Sequence, residues 1–241
     1  MSSPAVQAKP AEAVKPGKAV DLLPGQLSWL YANLHPVLLL SLIPVTFTTL
    51  VRDPVSALLG LAPTVALVQA LYCVLCLPSS GQAPSPKSKP GLKTTTGKPA
   101  QDIWAKAVPA FLSFVLTFTL SAPLLYIIVI LFGAPLVSHH LHTLLLAIHL
   151  ALLTTPHLFY VHGLQVSTWT RLVSLQQPVD EVYGMALGAC VGAWIGTIPI
   201  PLDWDREWQK WPITIICGLY AGAVIGKVVG GLLKGSKMKM S

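Results

Sequence analysis

The stretch EVYGMALGACVGAWIG (residues 181–196), followed after a polar turn by CGLYAGAVIGKVVGG (residues 217–231), decides how this chain folds. It holds two series of glycines spaced by four: Gly184, Gly188, Gly192 and Gly196, then Gly218, Gly222, Gly226 and Gly230. Four residues are slightly more than one helical turn, so each series leaves a stripe without side chains that drifts slowly round its helix. Small residues at that spacing let lipid-embedded helices approach closely. Glycine costs about 1 kcal/mol relative to alanine inside a soluble helix. Two four-rung series therefore point to packing, on each other or on a partner, or to the lining of a cavity. The general abundance of glycine in transmembrane helices explains one or two of the eight, not both series.

The rest of the sequence places that hairpin in a membrane. Of 241 residues, 53% are hydrophobic and 10% charged, with a mean hydropathy of +0.65, whereas soluble domains carry about 25% charged residues. No Asp, Glu, Lys or Arg occurs over 54–86, 107–170 or 182–202. A span needs about 20 predominantly apolar residues, so the chain is expected to be an all-α polytopic membrane protein. Six transmembrane helices fit, near 32–51, 55–77, 108–132, 137–161, 181–200 and 212–233.

The net charge of +7 does not indicate nucleic acid, because the basic residues flank the spans. With six spans, one side holds Lys9, Lys15, Lys18, Lys87, Lys89, Lys93, Lys98, Lys106, Arg171, Lys234, Lys237 and Lys239, and the other only Arg52, Arg206 and Lys210. The positive-inside rule then predicts both termini cytosolic. Lys227 falls inside the last span, where its stem is expected to snorkel toward the basic side. No cleavable signal pattern precedes Asp21, so the first span is expected to act as signal anchor.

The expected organisation is a disordered cytosolic tail over 1–26, a hairpin of spans over 27–77, a Pro- and Lys-rich cytosolic linker over 78–107 and a second hairpin over 108–161. A cytosolic loop over 162–180 leads to the glycine hairpin over 181–233, with a lumenal loop at 201–211, and a cytosolic tail over 234–241 ends the chain. Prolines within spans predict kinks. Trp29, Trp104 and Trp169 on one side, and Trp204, Trp208 and Trp211 on the other, suit headgroup-level aromatic belts.

Groups able to carry chemistry are few. Asp203 and Asp205 flank Trp204, and Glu207 adds a third carboxylate, a spacing compatible with a metal site. Arg206 and Lys210 lie close enough in sequence to neutralise them. The expectation is salt bridges or a headgroup or partner contact by Asp203, Trp204, Asp205, Arg206, Trp208 and Trp211. Six of seven histidines surround the fourth span, and polar interhelical contact or a cavity lining is expected of them. His149, near mid-membrane, is the functional candidate, because an ionisable group in lipid is expensive. Cys73 and Cys76 are expected to pack in a span rather than form a redox pair. No nucleophile elbow, phosphate-binding glycine loop or zinc spacing occurs, so neither catalytic residue nor metal nor cofactor is expected in this chain. Lys237 and Lys239, fifth and third from the end, resemble a dilysine retrieval signal for the endoplasmic reticulum.

The run from Pro178-Val179-Asp180-Glu181 through Gly192-Ala193-Trp194-Ile195-Gly196, and then Pro199-Ile200-Pro201-Leu202-Asp203-Trp204-Asp205-Arg206-Glu207-Trp208-Gln209-Lys210-Trp211-Pro212, resembles the phosphatidylinositol-glycan class F family. The specific likeness covers 178–231; upstream only span pattern and lengths agree, and 81–100 reads as an insertion. The resemblance implies a noncatalytic, multi-pass subunit of the endoplasmic reticulum membrane. Such a subunit binds and stabilises a large multispan ethanolamine phosphate transferase of glycosylphosphatidylinositol-anchor (GPI-anchor) biosynthesis, with the metal in the catalytic partner and membrane lipids around both. Two alternatives stand beside it: a lipid-headgroup transferase using Asp203, Asp205 and Glu207, and a lipid transporter or scramblase built on kinked, glycine-lined helices.

Overall fold

A computed structural model describes residues 17–80 and 99–239, and no strand occurs among them. The helices are α1 (Gln26–Arg52), α2 (Pro54–Cys76), α3 (Pro99–Leu116), α4 (Ala122–Leu131), α5 (His140–Thr154), α6 (Pro156–His162), α7 (Val166–Val173), α8 (Glu181–Ile195) and α9 (Ile213–Lys239). A wide π turn, Thr117–Ser121, joins α3 to α4.

Local sequence sets the breaks. Asp53 ends α1 and caps α2, its carboxylate accepting from the Ser56 amide at 3.2 Å, with Pro54 at the first helical position. Hydrogen bonding by Ser56, from its side chain first and its amide second, holds the Asp53 carboxyl below its ordinary range. Pro156 separates α5 from α6 in the same way, because a proline's missing N–H costs nothing in a first turn. Pro123 follows the π turn: it cannot donate to Thr119 and its ring crowds that carbonyl, so the wide turn removes the clash.

Five helical stretches are long and apolar enough to cross a membrane: Gln26–Arg52, Pro54–Cys76, Trp104–Leu131, His140–His162 and Ile213–Lys234. α8 is apolar but only 15 residues long. At about 1.5 Å per residue it falls short of a hydrocarbon core of about 30 Å, and the turns over 196–201 extend it. The stretch His140–His162 forms the centre of the bundle, with 83% of its apolar window buried against 17% for Trp104–Leu131. It packs on α2, α4, α8 and α9, while α1 pairs with α2 and α9, and α8 with α9.

Three expected boundaries change. Residues 17–24 are not a free tail: Val20 is buried, its amide donates to Asp180 Oδ2 at 2.7 Å, and the Leu23 amide donates to the Cys76 carbonyl at 2.8 Å. The 162–180 loop contains α7, held by the buried Thr168 and Leu172 and by Tyr183, whose hydroxyl donates to the Leu172 carbonyl at 2.5 Å. The third helix begins within the expected linker, since α3 starts at Pro99 and its apolar stretch at Trp104. The expected tail over 1–16 and linker over 81–98 lie outside the described residues, as do the side chains of Lys237 and Lys239.

Candidate functional site

The two glycine series meet face to face along the antiparallel α8–α9 pair. A Cβ placed on Gly188 would lie 2.7 Å from the Gly226 Cα, and one on Gly192 2.8 Å from the Gly222 Cα. From the other side, a Cβ on Gly222 would stand 2.7 Å from the Gly192 Cα, and one on Gly226 2.7 Å from the Gly188 Cα. Gly184 faces Gly230 and Gly226, Gly218 faces Gly192 and Gly196, and Gly196 closes the row against Thr214 and Ile215. The obstructing atoms are backbone, which has no rotamer to yield. The helices therefore touch through their main chains, and any side chain on either stripe drives them apart.

Each end of this hairpin is tied. At the α8 start, Asp180 is 1% exposed; its Oδ1 accepts from the Val182 and Tyr183 amides at 3.0 and 2.9 Å, and its Oδ2 from the Val20 amide. One carboxylate thus caps α8 and fastens the segment before α1. Lys234 on α9 donates to the Val20 carbonyl and pairs with Asp21 at 2.7 Å. This pairing holds the Asp21 carboxyl below its ordinary value of 3.8.

At the other end, Asp203, Trp204, Asp205 and Arg206 are exposed, and Glu207–Gln209 form a 3₁₀ turn. Gln209 organises the loop. Its Nε2 donates to the Pro199 and Leu202 carbonyls at 2.8 and 2.9 Å, and its Oε1 accepts from the Arg206 amide at 2.8 Å. Trp208 and Trp211 are half-buried against the bundle, and Trp204 stands out with its ring 5.7 Å from that of Trp208. The expected neutralisation is partial: Lys210 pairs with Glu207, but Asp203 and Asp205 have neither ion pair nor side-chain hydrogen bond among the described residues. The turn separates the three carboxylates, and no three His, Cys, Asp or Glu side chains converge to hold a metal among the described residues.

His149 is fully buried and joins three helices. Its Nε2 lies 3.0 Å from the Leu58 carbonyl and its Nδ1 2.7 Å from the Tyr220 hydroxyl. A carbonyl accepts only, so Nε2 carries the proton and Nδ1 accepts from tyrosine, which defines a neutral imidazole satisfied on both sides. Lys227 does not snorkel. It is 3% exposed and turns inward toward α1, donating to the Ala32 carbonyl at 2.8 Å, with His35 Nδ1 at 3.4 Å and the Tyr72 ring centroid at 4.1 Å. His35 is itself fully buried and bonded to Gln69. Two acceptors and one aromatic ring inside the bundle replace the headgroup water that snorkelling would reach. Cys73 and Cys76 are buried free thiols, and the His139 and His142 rings stand 5.2 Å apart at the exposed start of α5.

Asp180 was accessible to sequence reasoning, since an acid before an apolar run is an N-cap signal. Gln209, Tyr220 and the Lys227–His35 contact were not, because their partners lie on other turns or helices, 192 residues apart in the last case.

The family model described as "GPI biosynthesis protein family Pig-F" matches residues 34–231. The chain belongs to that family. The match runs from α1 through the glycine hairpin, so the family likeness extends well upstream of 178–231. Among relatives, the Aspergillus fumigatus protein named glycosylphosphatidylinositol anchor biosynthesis protein 11 is 40% identical over 252 aligned residues, covering 91% of this chain and 85% of the relative. The Neurospora crassa protein of the same name is 46% identical over 202 residues, covering 82% and 72%. A human protein named "GPI ethanolamine phosphate transferase, stabilizing subunit" is 36% identical over 130 residues, covering 52% of this chain and 59% of its own. No solved structure matches the chain.

Proposed function

We propose that this family member is a noncatalytic subunit that binds and stabilises a GPI ethanolamine phosphate transferase in the endoplasmic reticulum membrane. The observation that carries this reading is the likeness to the human protein whose name states a stabilising role. The geometry fits it physically: the glycine hairpin is held by backbone-to-backbone contact, a rigid packing element of the kind a supporting subunit needs.

In this reading α8 and the turns after it complete a sixth crossing. Both termini then lie in the cytosol, and Asp203, Trp204, Asp205, Arg206, Trp208 and Trp211 meet headgroups or the partner on the lumenal side. The partner is a large multispan transferase that supplies the metal, and Lys237 and Lys239 act as the retrieval signal. The outward apolar faces of α3, α4 and α9 are available to lipid and to that partner.

Affinity purification of the tagged chain in mild detergent tests the proposal. Co-elution of a membrane transferase, whose abundance falls when this chain is removed, is the expected result. Purified chain that transfers ethanolamine phosphate alone would overturn it.

A further inference from the structure

The eight-residue helix α7 differs from the rest of the bundle in how little holds it. Among the described residues it alone of the nine helices packs along no other. Its buried side chains are Thr168 and Leu172, on one side. On another, Val166, Thr170 and Val173 follow one another at helical spacing and are exposed, Val166 by 78% and Val173 by 81%. With Trp169 they line an open groove of 520 Å³, and the flanking Leu164 and Leu175 are exposed as well. Arg171 lies about 130° round the helix from the centre of that face, with Ser167 on the same side. An isolated helix shorter than about 12 residues is marginal in water, so α7 needs a second surface against its apolar face.

The depth of α7 is fixed by its neighbours. The stretch that ends at His162 is long and apolar enough to cross a membrane, and Trp169 Nε1 donates to the Gly163 carbonyl at 2.8 Å. The middle of α7 is thereby tied to the residue immediately after that span. Trp169 also packs on Phe159 within the span, with ring centroids 4.7 Å apart. The Ser80 amide donates to the Tyr160 carbonyl and the Leu23 amide to the Cys76 carbonyl, so α1 begins and α2 ends at the same level. Trp29, 68% exposed near the start of α1, marks that level as one where indole rings meet headgroups. A helix held there lies against the bilayer surface.

We propose that α7 is a surface-lying membrane anchor whose axis runs in the plane of the bilayer. Val166, Thr170 and Val173 sink among the upper acyl carbons of the phospholipids, and Ser167 and Arg171 turn toward headgroups and water. Helices of this kind bury their apolar face about 5–10 Å into the boundary between headgroups and acyl chains. The composition of the face favours lipid over a protein partner, because valine, leucine and threonine are under-represented among the residues that dominate protein interfaces. Trp169, the exception on this face, is already turned against Phe159. The placement goes beyond the stabilising role and holds with no transferase bound.

The test uses the full chain alone in phosphatidylcholine nanodiscs, with Cys190→Ala and Cys217→Ala so that the native thiols left are the buried Cys73 and Cys76. Nitroxide labels on Val166→Cys, Val173→Cys and Ser167→Cys are read by their relaxation with oxygen, which concentrates in lipid, and with a water-soluble nickel chelate. The ratio of oxygen to chelate access should be several-fold higher at 166 and 173 than at 167. Equal ratios at the three positions would put the face in water, and shielding of 166 and 173 from both reagents would put it under protein; either result overturns the proposal. Hydrogen exchange gives a second readout without labels. Val173→Asp should speed exchange in the last turn of α7 about tenfold, the scale of losing one buried valine, and leave α8 and α9 unchanged. Unchanged exchange in α7 would also overturn the proposal.

Discussion

Along α8 and α9, glycines on both helices bring main chain against main chain; from α3 through the π turn to α4, Phe111, Leu112, Phe118, Leu124 and Ile127 stand largely exposed. Both regions are apolar enough for a membrane, but lipid tails are as apolar as leucine and do not drive one apolar face onto another. What separates them is shape. The hairpin removes side chains where contact is wanted, and the α3–α4 arm keeps them where lipid or a partner must be met. In a bilayer, close packing is specified by what is missing from a helix face.

Breaking the contrast at its strongest point should give the largest effect. Gly222→Leu or Gly188→Leu is expected to cost about 3 kcal/mol or more, the upper range of overpacking, because the obstructing atoms are backbone. The readouts are thermal unfolding in detergent and the yield of any co-purified transferase. Gly60→Ala on α2 is the matched control, since nothing lies within 4 Å of its added carbon. It should be neutral or stabilising by up to about 1 kcal/mol.

Tyr220→Phe keeps the ring beside the glycine stripe but leaves His149 Nδ1 without a donor. A buried unsatisfied group costs about 1 to 3 kcal/mol, which a lowered unfolding midpoint would register. Asp180→Ala should cost about 1 kcal/mol as a lost helix cap, and hydrogen exchange at the Val20 amide should accelerate as the segment before α1 comes free.

The smallest effect concerns pH. The Asp21 carboxyl is depressed by Lys234, so its contribution to stability is complete above its unfolded value near 3.8 and is lost as pH falls through the lower folded value. Because Asp21 is 67% exposed, solvent screens the pair. Asp21→Asn should shift unfolding only slightly at neutral pH and not at all once the carboxyl is protonated.

The sequence discloses the spans and the glycine faces because both are local periodic patterns. The boundary at Asp53 and Pro54 is legible for the same reason, being set by residues within one turn; Pro156 reads only as a kink, as do Pro36 and Pro63, which lie inside unbroken helices. Lys227 was not legible: a lone lysine in an apolar run reads as a snorkelling cation, and only the approach of Ala32, His35 and Tyr72 from other helices turns it inward. The same holds for Gln209, whose fold-defining bonds depend on how the chain between Pro199 and Leu202 doubles back. Residues 17–24 read as tail because their partners, Asp180, Cys76 and Lys234, lie far away in sequence, 160 positions from Val20 to Asp180 and 214 from Val20 to Lys234, and follow no pattern.

The claim most exposed to test is that the loop at the hairpin tip supports a transferase without performing its chemistry. Asp203→Asn and Asp205→Asn are near-isosteric and remove only charge, and turnover per assembled complex, normalised to transferase content, is the quantity to measure. Any lost activity is expected to follow lost transferase abundance, and each complex that does assemble is expected to keep near-normal turnover. A normal amount of complex with turnover reduced by about 10² to 10⁴, the scale of a lost general acid or base, would contradict it and place this subunit in the active site.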